Sequence, residues 1–73
     1  MPRENIEVPI TGKVTRIEVK VGDVVKEGDV VCFIESMKME NPILAPVGGK
    51  VAEIKVSAGE VVRTGVLIAI IEY

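Results

Sequence analysis

Lys38 stands between Met37 and Met39, with Glu35 and Glu40 set symmetrically outside the triplet. A solvated lysine ammonium titrates near 10.4, so roughly one in 2,500 is neutral at pH 7. Such an amine is a poor base and, unaided, a poor nucleophile. It becomes useful when another enzyme brings an activated acyl group and removes the proton, which is the chemistry of an acceptor site and not of a catalyst. No histidine occurs in the chain, which removes serine–histidine and cysteine–histidine catalysis and histidine-bound metals. Cys32 is the single cysteine. It reads as a small buried hydrophobe and not as a reactive thiol. One cysteine cannot staple a secreted scaffold, so the expected setting is a reducing cytoplasm.

The elements that hold this lysine must come from a short chain. Seventy-three residues make one domain, spanning 1–73, that buries only about two thirds of its unfolded surface. The hydrophobic share is 48% but the aromatic share 3%, so apolar content rests on Val, Ile and Leu, which favour pleated sheet. Seven glycines and four prolines punctuate short strands and tight turns. The fold class that follows is all-β. A net charge of −2 and the lack of an aromatic stacking set argue against nucleic acid as a partner. No apolar run approaches the roughly 20 residues that insert across a membrane, and MPRENIEVPI lacks the apolar stretch of a signal peptide.

An internal repeat organises the chain. Residues 9–35 align without gaps to residues 46–72, at an offset of 37, with 12 of the 27 positions identical; chance on this composition gives about three. Each copy opens Pro-x-x-Gly and runs into alternating apolar positions, Ile17-Val19-Val21 and Ile54-Val56-Ala58, the period of half-buried strands. Turns at Gly22-Asp23 and Gly59-Glu60 follow, then Val-Val, then Gly28 or Gly65. Each copy ends in an apolar run, Val30 to Ile34 or Val66 to Ile71, suited to strands buried on both faces. Neither copy can cover its apolar face alone, so two packed sheets related by a pseudo-twofold axis are expected. The linker SMKMENPILA then carries Lys38 on a hairpin at the sequence midpoint, with strands ending near Ile34 and resuming near Asn41.

That hairpin breaks local rules. The simplest register pairs Ser36 with Met39 and puts Met37-Lys38 at the corner. Both would need the positive φ that Asn-Gly or Asp-Gly supplies in the commonest two-residue turn, at a cost of order 1 kcal/mol each. The same register sets Glu35 opposite Glu40, an unfavourable like-charge pair. Broken rules at one spot of an otherwise consistent sequence point to function.

At these residues the sequence resembles the biotinyl domains of biotin-dependent carboxylases, decarboxylases and transcarboxylases, the biotin carboxyl carrier proteins. The family's attachment motif Glu-Ala-Met-Lys-Met stands here as Glu35-Ser36-Met37-Lys38-Met39, departing only at Ser36. Asn41-Pro42-Ile43, Ala45-Pro46-x-x-Gly49 and the VGDVVKEGD turn region are similar too, and the likeness runs from Val8 to Glu72. The resemblance implies a flattened barrel-sandwich of two four-stranded antiparallel sheets. It implies covalent biotin, joined by an amide to Lys38 and installed by biotin protein ligase, with Glu35, Met37 and Met39 as marks the ligase reads. The domain itself would catalyse nothing. As a monomeric unit it would shuttle carboxylate between biotin carboxylase and carboxyltransferase sites, acetyl-CoA carboxylase being one enzyme of this kind.

Two family features are missing. The protruding loop that some carriers have between their second and third strands has no room here, and no Ala/Pro-rich tether precedes the repeat. The chain is expected to be a free-standing small carrier or an excised C-terminal domain. Two alternatives stand beside this reading: a lipoyl carrier, whose hairpins usually read Asp-Lys-Ala, and an unmodified structural barrel that would not need Lys38.

Overall fold

A computed structural model describes residues 2–73; Met1, the first residue of the expected domain, lies outside the described residues. Eight strands follow one another: β1 (Arg3–Glu7), β2 (Gly12–Ile17), β3 (Val24–Val25), β4 (Val30–Ser36), β5 (Met39–Leu44), β6 (Gly49–Ile54), β7 (Val61–Val62) and β8 (Leu67–Glu72). They form two antiparallel four-stranded sheets, ordered β1-β8-β6-β3 and β5-β4-β2-β7, in a body 36 × 18 × 16 Å. The all-β class and the two four-stranded sheets are as expected.

Adding 37 to any residue of β1–β4 lands on its counterpart in β5–β8, and this carries one sheet order onto the other. The copies therefore interleave: each sheet draws two strands from each half. A two-half reading anticipates packing of copy on copy; the structure goes further, weaving them. Two sequence expectations need correction. The repeat does not begin at Pro9 and Pro46 but includes β1 and β5, where Ile6 and Ile43 occupy matching buried positions. Strand β4 also continues past Ile34 to Ser36, and β5 starts at Met39 instead of Asn41.

The alternation read through Val21 stops earlier. Strand β2 ends at Ile17; Val19 is buried but Val21 is 62% exposed. The chain has already turned there: Asp23 N donates to Lys20 O, Lys20 N donates to Asp23 Oδ2, and Gly22 takes φ 99°. Only residues 18–23 separate β2 from β3, so no protruding loop is present.

Val14, Val31, Ile34, Val51, Ile68 and Ile71 are buried to within 1% and form the centre of one apolar cluster. The apolar runs at the ends of the repeats bury consecutive residues, such as Val31 and Cys32, because the register shifts between Val30 and Cys32 and re-aims the chain. Gly12 and Gly49 are counterparts with one shared reason. A Cβ on Gly12 would strike Glu35 O and Ile34 Cγ2, and one on Gly49 would strike Glu72 O and Ile71 Cγ2. Only glycine lets the sheets' middle strands approach this closely.

The chain ends are tied together. Tyr73 N donates to Pro2 O at 3.0 Å, and Arg3, opposite Glu72 in register, bonds its carboxylate at 3.1 Å. Arg3 also reaches over β8 to Glu53 on β6 at 3.5 Å, and Glu53 takes Lys55 at 2.7 Å. Lys55, and then Arg3, hold the Glu53 carboxyl below the usual glutamate range. Its folded pKa is thus the lower one, so its stabilisation is present above about pH 4.3, the ordinary value, and fades as pH falls through the folded value. Glu53→Gln should therefore have a lower urea midpoint than the parent at pH 7, by a small margin because the group is exposed, and the gap should close as pH falls through the folded value. A gap that widened on acidification would contradict this account.

Candidate functional site: the β4–β5 hairpin

Sheet pairing carries β4 and β5 to a two-residue turn: Ile34 opposes Asn41, Glu35 opposes Glu40, and Ser36 opposes Met39. Met37 and Lys38 form the corner at φ 53° and 65°, the sole non-glycine residues with positive φ among the described residues. These are the dihedrals of the hairpin turn that matches the twist of its strands, adopted here by two side chains that disfavour them. The strain expected from sequence is present, and so is the like-charge pair.

Lys38 is exposed, and among the described residues no hydrogen bond or ion pair engages its Nζ. Met37 is 89% and Met39 68% exposed, so neither closes the core beneath the turn. Thioethers presented to solvent beside an unpaired amine form a small apolar contact surface for a visiting protein. Glu35 is exposed on β4, with Lys13 opposite it on β2. The four residues singled out in the sequence thus stand together on one exposed hairpin turn.

Side chains with no motif to mark them hold the turn in place. Asn41 Nδ2 donates to Ile34 O and to Met39 O, both at 3.2 Å. Thr15 Oγ1, on β2, donates to Glu40 Oε2 at 2.8 Å. Phe33 O lies 3.4 Å from the same hydroxyl, but its one proton goes to the nearer, charged acceptor. Arg16 is occupied elsewhere, bonding Glu18 at 3.0 Å and lying over the Phe33 ring at 4.7 Å. Asn41 belongs to a motif-like stretch, whereas nothing in sequence flags Thr15.

Cys32 is fully buried, and desolvation pushes its thiol up to about 11. It offers no second nucleophile. At pH 8 roughly one thiol in a thousand would be ionised, so a thiol-reactive disulfide reagent should label native protein far more slowly than protein unfolded in urea. Comparable rates would show the strand opening readily. A surface groove of about 290 Å³ runs between β1 and β5 past Ile6, Pro9, Ile43 and Pro46 and includes none of Glu35, Met37, Lys38 and Met39.

A turn that spends strain to hold one unpaired amine clear of a rigid sheet fits an attached prosthetic group: the amine is free to form an amide, and nothing on the hairpin would have to move. Comparison with known proteins agrees. The model of the biotin/lipoyl family, described as "Biotin-requiring enzyme", matches residues 4–71. The chain is 57% identical over 37 residues to the 2-oxoglutarate carboxylase large subunit of Hydrogenobacter thermophilus, covering 51% of this chain and 6% of that protein. It is 45% identical over 42 residues to biotinylated protein TB7.3 of Mycobacterium tuberculosis, covering 58% of this chain and 59% of that one. The Kluyveromyces lactis urea carboxylase structure superposes with a TM-score of 0.91 at 36% identity, over 99% of this chain and 6% of that chain. The chain thus spans less than two thirds of each of these proteins. With the family model covering nearly every residue, the chain belongs to the biotin/lipoyl family of biotin-requiring enzymes, as a biotin carrier domain.

Proposed function

We propose that Lys38 Nζ is the point of attachment, acylated by a biotin protein ligase, and that the domain carries biotin between the active sites of a biotin-dependent carboxylase, decarboxylase or transcarboxylase. The observation that carries this reading is the exposed, unpaired amine at the corner of a strained two-residue turn. The group, when bound, takes up and releases carboxylate. This chain supplies the rest: an amine presented for acylation, a turn stiff enough to keep it off the barrel, and exposed Met37, Met39 and Glu35 as marks for the ligase. Its own part is non-catalytic. Tethering raises the effective concentration of one cofactor at two sites in turn, which needs a rigid mount more than a pocket.

The partners that follow are the ligase, a biotin carboxylase and a carboxyltransferase; acetyl-CoA carboxylase is one enzyme of the right chemistry. A monomeric unit in a reducing cytoplasm fits the single, buried, unpaired thiol. Co-expression with biotin ligase, followed by intact-mass measurement, tests the reading. One biotin per chain supports it; a lipoyl-sized gain with a lipoyl ligase, and none with biotin ligase, would replace it.

A further inference from the structure

The repeat supplies an internal control for the hairpin. The 37-residue offset carries Glu40 onto Arg3, Glu35 onto Glu72, and Arg16 onto Glu53. In the sheet of the chain ends, the edge strand β1 is fastened over its neighbour β8 to the third strand β6, through Arg3 and Glu53 at 3.5 Å. In the other sheet β5 is likewise an edge strand, paired only with β4. The matching ion pair is not made there, because Arg16 bonds Glu18 instead. The same span, from edge strand across the middle strand to the third, is closed by Thr15 and Glu40 at 2.8 Å. Thr15's own counterpart is Ala52, which has no hydroxyl to give.

The two ties differ in what they hold. The Arg3 tie secures the chain ends and neutralises Glu72. The Thr15 tie holds the arm that follows Lys38, two residues beyond it, and draws Glu40 toward β2 although Glu35 stands opposite it. From this geometry we infer that Thr15 is a positioning residue for acylation of Lys38: its hydroxyl fixes the β5 arm, so the turn is already in the shape a ligase accepts. The inference rests on Lys38 being the acceptor. Without the tie, the edge arm is held by β4 alone, the competent shape is less populated, and the ligase sees a lower apparent affinity with an unchanged chemical step.

The test compares the parent with T15V, T15S and R3Q, first by steady-state biotinylation with ligase, ATP and biotin. T15V should raise the KM for the domain about threefold to fivefold, the worth of one hydrogen bond to a carboxylate once discounted for solvent exposure, with kcat unchanged. T15S, which keeps the hydroxyl, should restore the parent KM. R3Q, which cuts the matching tie at the chain ends, should lower the urea midpoint and leave KM alone. Backbone amide exchange at Met39 and Asn41, which pair with Ser36 and Ile34 across the hairpin, provides a readout that needs no modification: faster in T15V, normal in T15S and R3Q. An unmodified parent would sink the acceptor reading, while exchange would still decide whether Thr15 fixes the turn. Equal KM and exchange in T15V and parent, or a KM rise in R3Q matching that in T15V, would overturn the inference. Should T15V not fold, Glu40→Ala breaks the same bond from the other side and must show the same faster exchange.

Discussion

Arginine in place of Lys38 is expected to abolish biotin incorporation while leaving stability within about 0.5 kcal/mol of the parent, as for a surface change that removes no contact. The argument is chemical. Arginine keeps the positive charge and a long flexible stem, and both side chains pay a similar penalty at φ 65°. A guanidinium, however, stays protonated throughout the useful pH range and is not acylated as an amine is. Lys38 makes no bond that arginine would break. Intact mass of the parent and K38R, each co-expressed with biotin ligase, settles the point. Full labelling of K38R would move the acceptor to another of the chain's lysines, and the hairpin reading would fall.

The largest effect on stability is expected in the core. Ile34 and Ile71 are counterparts, one per sheet, each with no measurable exposure, and each lies against a glycine, Gly12 or Gly49, that admits no other side chain. Truncating either to alanine removes three buried carbons and leaves a cavity in a packed interior, at a cost of about 2–5 kcal/mol. A domain of this length has a total of about 4–11 kcal/mol to lose, so either change should remove a large share of it and the pair together should bring it near its unfolding midpoint. The twofold adds a sharper expectation: the two costs should agree closely, because the surroundings repeat. Urea melts of I34A and I71A measure both. A difference beyond about 2 kcal/mol would mean that the halves, though alike in backbone, are not alike in packing.

The sequence went far toward the site and less far toward the sheets. The turn at Met37-Lys38 was legible because a gapless repeat isolates the linker, and a two-residue turn then forces Ser36 onto Met39 and Glu35 onto Glu40; no other pairing is as short. Exposure of the methionines follows from that geometry. Strand β1 was not legible. Of RENIE only Ile6 turns inward, so an edge strand with one buried residue shows no alternation to find. Interleaving escaped for a different reason. A repeat reveals which strands are equivalent, not which are neighbours, and hydrogen-bond partners such as β1 with β8 lie 69 residues apart at Arg3 and Glu72. Thr15 was hidden because its role arises at a register shift between Val14 and Arg16, which rotates a mid-strand threonine toward a neighbour two strands away.

The hydrogen bond from Tyr73 to Pro2 has a consequence for how many cofactors such a fold can bear. The rotation that superposes the halves brings Ser36 and Met39, the ends of the lysine-bearing bend, onto Tyr73 and Pro2. Of the two equivalent corners, the one at Pro2 and Tyr73 is open between its strands, so among the described residues only the other closes as a turn that can display an amine. Chain continuing from Pro2 or Tyr73 would therefore leave from the site equivalent to the bend, and not from the bend itself.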